Sequence, residues 1–299
     1  REGLAEFVQA DDFDGSAPGD VELPVAIARQ TEARGATRLS LHVGTRRFRY
    51  EEYIGLDAVR EREIVALGFF GGVSVGRSLG VLVPDDVVDA QATYGSVSTT
   101  LTVPLGSSLL HLSSSGEGAY SRGGWRDFLG QADVAAWGRA WWLPDQTLFF
   151  RVSAAGGWRT TMPFQLSLGG REGVRSLRDD ELPAGRRLLL VAEDRLRLPW
   201  PSWDALDLGA TFFADAGRVW AGDAPFGNDA GWVGSAGLGL RIAVPSGSRQ
   251  VWRPEIAFPM GHDGPPVFRV TLEVNLIRNG FKTPRWLESR RFGRGPEAF

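Results

Sequence analysis

The residues best placed to do chemistry in this chain are an arginine and two carboxylates. A glycine-rich stretch, Leu168-Gly169-Gly170-Arg171-Glu172-Gly173-Val174-Arg175-Ser176-Leu177, precedes two runs that read as β-strands, Arg187 to Pro199 and Leu206 to Trp220. Glu193 sits in the first run and Asp215 in the second, each on the parity opposite its run's apolar face. A guanidinium presents a planar fork of donors that two carboxylates can share. Arg175, on a loop with Gly169 and Gly170, is therefore expected to meet Glu193 and Asp215 inside a closed barrel. That chemistry is ion pairing that locks a loop, and no catalytic residue is expected.

Other chemical signatures are weak. Gly72-Val73-Ser74-Val75-Gly76 matches the spacing of a nucleophile elbow, but that motif needs a strand–turn–helix setting and Ser74 falls within a strand pattern. The three histidines, His42, His111 and His262, are far apart and form no metal-ligand spacing. Cysteine is absent, so neither disulfides nor thiolate metal sites are possible. No phosphate-cradling glycine loop ending in Lys-Ser or Lys-Thr occurs. Neither cofactor nor metal is expected.

The elements that position these residues must be strands. Val21, Leu23, Val25 and Ile27 alternate with Glu22, Pro24, Ala26 and Ala28, and Leu39, Leu41 and Val43 with Arg38, Ser40 and His42. Residues 48–63 read as a charged connection. Val65, Leu67, Phe69, Val73, Val75 and Leu79 then share one parity. Strand-like runs at 89–104 and 107–121 flank a turn at Pro104-Leu105-Gly106. Ala132, Val134, Ala136, Ala140 and Trp142 form another apolar parity, as do Leu148, Phe150, Val152 and Ala154. Alternation is cleanest at 206–217, 232–244, 252–260 and 268–276. The polar faces carry Arg, Glu, Asp, Asn and Thr, too many charges for the core of a soluble sandwich.

About twelve strands result, most of them longer than the roughly 5–6 residues usual in soluble proteins. The 299 residues have 43% hydrophobic content, a formal net charge of −3, 11 Trp and 17 Phe. Mean hydropathy is −0.14. This charge argues against nucleic-acid binding by bulk electrostatics. No run reaches the roughly 20 apolar residues of a membrane helix. A transmembrane antiparallel β-barrel escapes that test, because its strands alternate. Short turns are expected at 104–107, 143–146, 199–204 and 245–250. The alternating connections at 81–89, 122–130, 158–186 and 221–231 would be external, with 48–63 an exception on the short-turn side. The organisation expected is an irregular segment at 1–20, a barrel over 21–277 and a basic tail at 278–299.

With Phe164-Gln165-Leu166-Ser167-Leu168-Gly169-Gly170, Val174-Arg175-Ser176-Leu177, Glu193-Asp194-Arg195 and Phe213-Ala214-Asp215-Ala216-Gly217 in this order, the chain resembles the BamA/TamA-like outer-membrane assembly barrels, also called the bacterial surface antigen family. The resemblance is strongest from about 146 to 277. Ser176 and Leu177 stand where that family has glycine and an aromatic, and Asp194 occupies a usually aromatic, lipid-facing place. The resemblance implies an all-β transmembrane barrel in the bacterial outer membrane. Against the family's sixteen strands, this chain would supply roughly the last twelve, without the periplasmic repeats of many members. The long 158–186 loop would fold inward, and Arg175 would be held by Glu193 and Asp215. A seam would join 21–30 to 267–277, using Val25 and Ile27 against Val270, Leu272 and Val274. Implied partners are outer-membrane lipids, lipopolysaccharide and unfolded outer-membrane client proteins. The implied activity is assistance to their insertion or translocation; a passive pore or structural barrel that kept the fold is the alternative.

Overall fold

The computed structural model describes residues 38–79, 92–121, 123–139, 145–160, 164–169, 173–178, 181–199, 205–224 and 227–274. The expected segment 1–20, strand 21–30 with Val25 and Ile27, and tail 278–299 lie outside the described residues, as does Gly170. Among the described residues the chain is all β. The long strands are β1 (Arg38–Ile54), β2 (Arg62–Ser78), β3 (Thr93–Leu105), β4 (Ser108–Ser121), β5 (Gly124–Gly138) and β6 (Gln146–Trp158). After two short strands, β7 (Leu166–Ser167) and β8 (Pro183–Ala184), come β9 (Arg186–Arg197), β10 (Asp207–Trp220), β11 (Ala230–Ala243), β12 (Gln250–Met260) and β13 (Val267–Val274).

Eleven of these form one antiparallel sheet in chain order, β1 to β6 followed by β9 to β13, while β7 and β8 pair only with each other. Every connection between neighbours in the large sheet therefore returns to the next strand, and connections alternate between its two ends. β1 and β13 are the terminal strands among the described residues.

The two faces divide by parity. Asp207, Thr211, Phe213 and Asp215 of β10 are buried, and so are Arg253, Glu255 and Ala257 of β12. The other parity of the same strands carries exposed Phe212, Trp252 and Phe258. Burial is thus inverted: charges on the inner face are covered, while large apolar side chains on the outer face are open. Curvature explains how the inner face is covered. Residues Gly55 to Glu61, between β1 and β2, turn onto it and touch side chains of β5, β6, β9 and β11. Leu56, Asp57, Ala58 and Val59 are each at most 1% exposed. Leu56 joins Val65, Leu67, Leu109, Trp137 and Phe149 in an apolar cluster there.

Several readings of the chain are corrected. Residues 48–63 are mostly not a connection: β1 continues through Ile54 and β2 begins at Arg62, in unbroken register from Arg38↔Ser78 to Ile54↔Arg62. The single apolar parity from Val65 to Leu79 also fails. Val65 and Leu67 are buried on the inner face, whereas Phe69, Val73 and Val75 are exposed on the outer one. The switch falls at Gly68, whose φ of +135° is open to glycine alone. A Cβ there would lie 2.0 Å from the Arg47 carbonyl oxygen. Cross-strand partners share a face, so β1 switches with it. Its exposed apolar residues are Leu39, Leu41 and Val43 before Phe48, the partner of Gly68, and Tyr50 and Ile54 after it. That double switch erases simple alternation from the sequence.

The expected external connection 122–130 is also corrected, since β5 starts at Gly124 and pairs Ser121↔Gly124. A register shift between Glu117 and Ala119 disturbs the pattern at this end. The turn after β3 is Gly106-Ser107, one step later than expected, because Pro104 and Leu105 still pair with β4. Residues 89–91 and 140–144, assigned to strands or turns above, lie outside the described residues.

Candidate functional site

The site is the charged inner face between β9 and β13, together with the two segments that fold against it. Glu193 is at its centre. Its carboxylate accepts from Arg195 Nε at 2.7 Å, from Arg253 Nη2 at 3.0 Å and from Arg175 Nη2. Glu193 and Arg195 are two residues apart on one strand, so they share a face. Arg253 and Glu255 on β12 repeat that spacing and pair at 2.6 Å. Glu273, on β13, accepts from Arg253 Nη1 at 3.0 Å and lies 3.8 Å from both Arg195 and Arg241. Asp57 reaches in from the β1–β2 connection and accepts from Arg195 Nη1 at 2.9 Å and Trp137 Nε1 at 3.0 Å. Arg241 Nη2 donates to the Asp57 carbonyl. Among the described residues, four arginines (175, 195, 241, 253) thus interleave with five carboxylates (57, 193, 215, 255, 273). Interleaving is what burial requires, because an unpaired ion there would cost several kcal/mol.

Arg175 enters this network from the segment between β6 and β9. Its backbone N–H donates to Asp215 Oδ2 at 3.3 Å, and its Nε lies 3.7 Å from that oxygen and 3.6 Å from Glu255. The guanidinium stacks 4.0 Å from the Phe213 ring centroid. Asp215 is further tied to Ser235 Oγ at 3.1 Å. Arg175, Glu193 and Asp215 therefore meet, and Glu255 and Arg253 join them.

Local packing holds the segment down. Leu168, Val174 and Leu177 cluster with Ala184, Leu189 and Val219. Gly217 permits this: a Cβ on it would sit 2.4 Å from Leu168 Cδ1. Gly169 N donates to the Glu181 carbonyl at 3.1 Å, and Val174 N to the Leu168 carbonyl at 2.9 Å, closing the tip on itself. Beyond Arg175, Ser176 Oγ lies 3.2 Å from His262 Nε2 and 3.3 Å from the Gly234 carbonyl, and Arg269 Nη2 donates to the Leu177 carbonyl at 3.3 Å. Ser176 and Leu177 are thus both buried and engaged. Asp194 points to the outer face, where Gln146 Nε2 donates to it at 2.6 Å, near the end of β9.

The remaining residues singled out in the sequence lie apart from this site. Val270, Leu272 and Val274 are on β13, paired with Pro254, Trp252 and Gln250 of β12. Ser74 is mid-strand in β2. His111 is buried, with Nδ1 2.9 Å from Thr102 Oγ1. Asp57 was hidden from sequence reasoning inside the supposed 48–63 connection. The i, i+2 pairs Glu193/Arg195 and Arg253/Glu255 were a usable signal for the wider network, since alternation puts both members on one face. What the described contacts do is pair charges: they tie the segment carrying Arg175 to β9, β10 and β12. Compared with family models the chain matches none, and no curated protein matches it.

Proposed function

We propose that the eleven-stranded sheet belongs to a transmembrane β-barrel of the bacterial outer membrane, of the BamA/TamA-like type, that assists insertion or translocation of outer-membrane polypeptides. The inverted burial carries this reading. Charged residues are covered on the inner face while Val73, Phe150, Phe212, Leu240 and Phe258 stand exposed outside. In water such a surface would associate; in a bilayer it is the expected exterior of a barrel. The end bearing residues 159–185 would face outward, and the end with the tight turns would face the periplasm. Tethering of the 159–185 segment by Arg175 would act as a structural lock.

Assistance to insertion would use a seam at the terminal strands, where any backbone groups left unpaired would template a client strand. A passive pore is disfavoured by the occupied inner face, where Gly55–Glu61 and the Arg175 segment both lie. Photo-crosslinkers at Phe268 and Val270, challenged with urea-unfolded outer-membrane polypeptides, test the assembly role. Crosslinks that disappear once the client has folded would support it. Repeated absence of crosslinks, together with steady ion conductance, would replace it with the pore. Migration in detergent gels that does not change on heating would remove the barrel reading altogether.

A further inference from the structure

The outer face is not uniformly studded with large side chains. Across β2 to β6, near the end bearing residues 159–185, lies a depression of about 640 Å³, within the range of ligand sites, roughly 300–1,000 Å³. Val73, Val75 and Val97 wall one side, and Trp125, Phe128 and Trp158 the other. Between them the outward positions hold glycines: Gly95 on β3, Gly116 and Gly118 on β4, and Gly130 on β5. The aromatic walls lean inward, with Phe128 over Gly118 and Trp158 over Gly130, while a Cβ on Gly95 would meet nothing within 4 Å. From β2 to β6 is four interstrand steps, about 19 Å. That width suits several acyl chains side by side.

Cations stand at the same end. Arg77, exposed, is the next outward residue on β2 beyond Val75. Arg186 leads β9 with its guanidinium 5.2 Å from the ring of Trp158, itself a wall. Exposed Arg159 follows Trp158 directly. Tyr120 and Trp125, with ring centroids 5.3 Å apart, sit at this level, as aromatic side chains do at a bilayer interface. An apolar trough below, aromatics at its rim and cations above match a lipid with several acyl chains and a phosphorylated headgroup.

We propose that this depression is a binding site for a phosphorylated, multi-acyl lipid of the lipopolysaccharide class, its chains over the glycine floor and its phosphates toward Arg77, Arg159 and Arg186. This rests on the outer-membrane reading, because only there does the 159–185 end meet such lipids. The test uses the whole chain in mixed micelles with diphosphorylated lipid A, phosphatidylglycerol or phosphatidylcholine, with retained lipid counted by native mass spectrometry. Wild type is expected to retain lipid A in preference to the other two. Gly95→Leu with Gly116→Leu fills the trough at positions where a side chain meets only ordinary contacts, so folding is kept, and retention is expected to fall about tenfold. Arg77→Ala with Arg186→Ala is expected to erase the preference for lipid A over phosphatidylcholine while acyl retention persists. Heat-modifiable migration of each variant reports whether it still forms the barrel. A filled variant that is heat-modifiable and retains lipid A like wild type overturns the site alone. Wild type that is heat-modifiable but prefers phosphatidylglycerol overturns the assignment of lipid class. Wild type that lacks heat-modifiability and partitions into buffer overturns both the site and the outer-membrane reading.

Discussion

Removing the Arg175 side chain is the sharpest perturbation of the inner face. Its side chain is 12% exposed, and the Glu193 and Asp215 side chains are 2% and 0% exposed, so solvent screens this contact weakly. In Arg175→Ala, Glu193 keeps Arg195 and Arg253, and Glu255 keeps Arg253. Asp215 is left with Ser235 and the residue-175 backbone N–H, and loses its nearest guanidinium. Breaking one member out of a buried pair costs about 3–5 kcal/mol. At about 1.4 kcal/mol per decade, even the lower bound raises the undocked population of the segment about a hundredfold. Arg178 lies three residues further along the segment and offers a cleavage site that the substitution leaves intact. Limited trypsin digestion of the folded protein in detergent, under conditions where docking re-equilibrates faster than cleavage, reads that population directly. We expect cutting at Arg178 to accelerate by about two orders of magnitude, with Arg175→Lys in between, because lysine keeps the charge and loses the fork. Equal cleavage rates in wild type and Arg175→Ala would refute the idea that this ion-pair cluster holds the segment.

Other perturbations probe separate contacts. Gly217→Val is expected to expel Leu168, whose Cδ1 lies 2.4 Å from the added Cβ, and to expose the segment to trypsin; Leu168→Ala on the same background should restore part of the protection. Leu168→Ala alone should cost about 2–5 kcal/mol in urea unfolding, as for other buried leucines. Asp57→Ala removes the acceptor of Trp137 Nε1 and Arg195 Nη1 and should destabilise by about 3 kcal/mol or more, visible as a lower temperature for loss of heat-modifiable migration. Gly68→Ala forces a Cβ to within 2.0 Å of the Arg47 carbonyl at φ +135°, so β1 should detach from β2 and its amides lose hydrogen-exchange protection. Gly95→Leu, by contrast, should leave thermal stability unchanged within about 0.5 kcal/mol.

The sequence by itself determined the strand class and, over most of the described strands, which residues share a face. At 206–217 and 252–258 simple alternation separates Asp215, Arg253 and Glu255 from Phe212 and Phe258, because a strand's side chains alternate with a period of two. The same rule puts Glu193 beside Arg195. It fails between Phe48 and Val75, since one glycine at positive φ inverts the parity of two strands at once, and no local pattern announces that. Tertiary structure alone decided which charges meet. Asp57 lies 138 residues from Arg195 and 184 from Arg241, and only the curvature of the sheet brings the β1–β2 connection onto them. The same holds for the tip around Arg175: a glycine-rich loop is visible in sequence, but its depth depends on Gly217, two strands away, leaving room for Leu168. Periodicity is a property of a few neighbouring residues. Closure of a charge network depends on the sheet's curvature, which arises from all of its strands together.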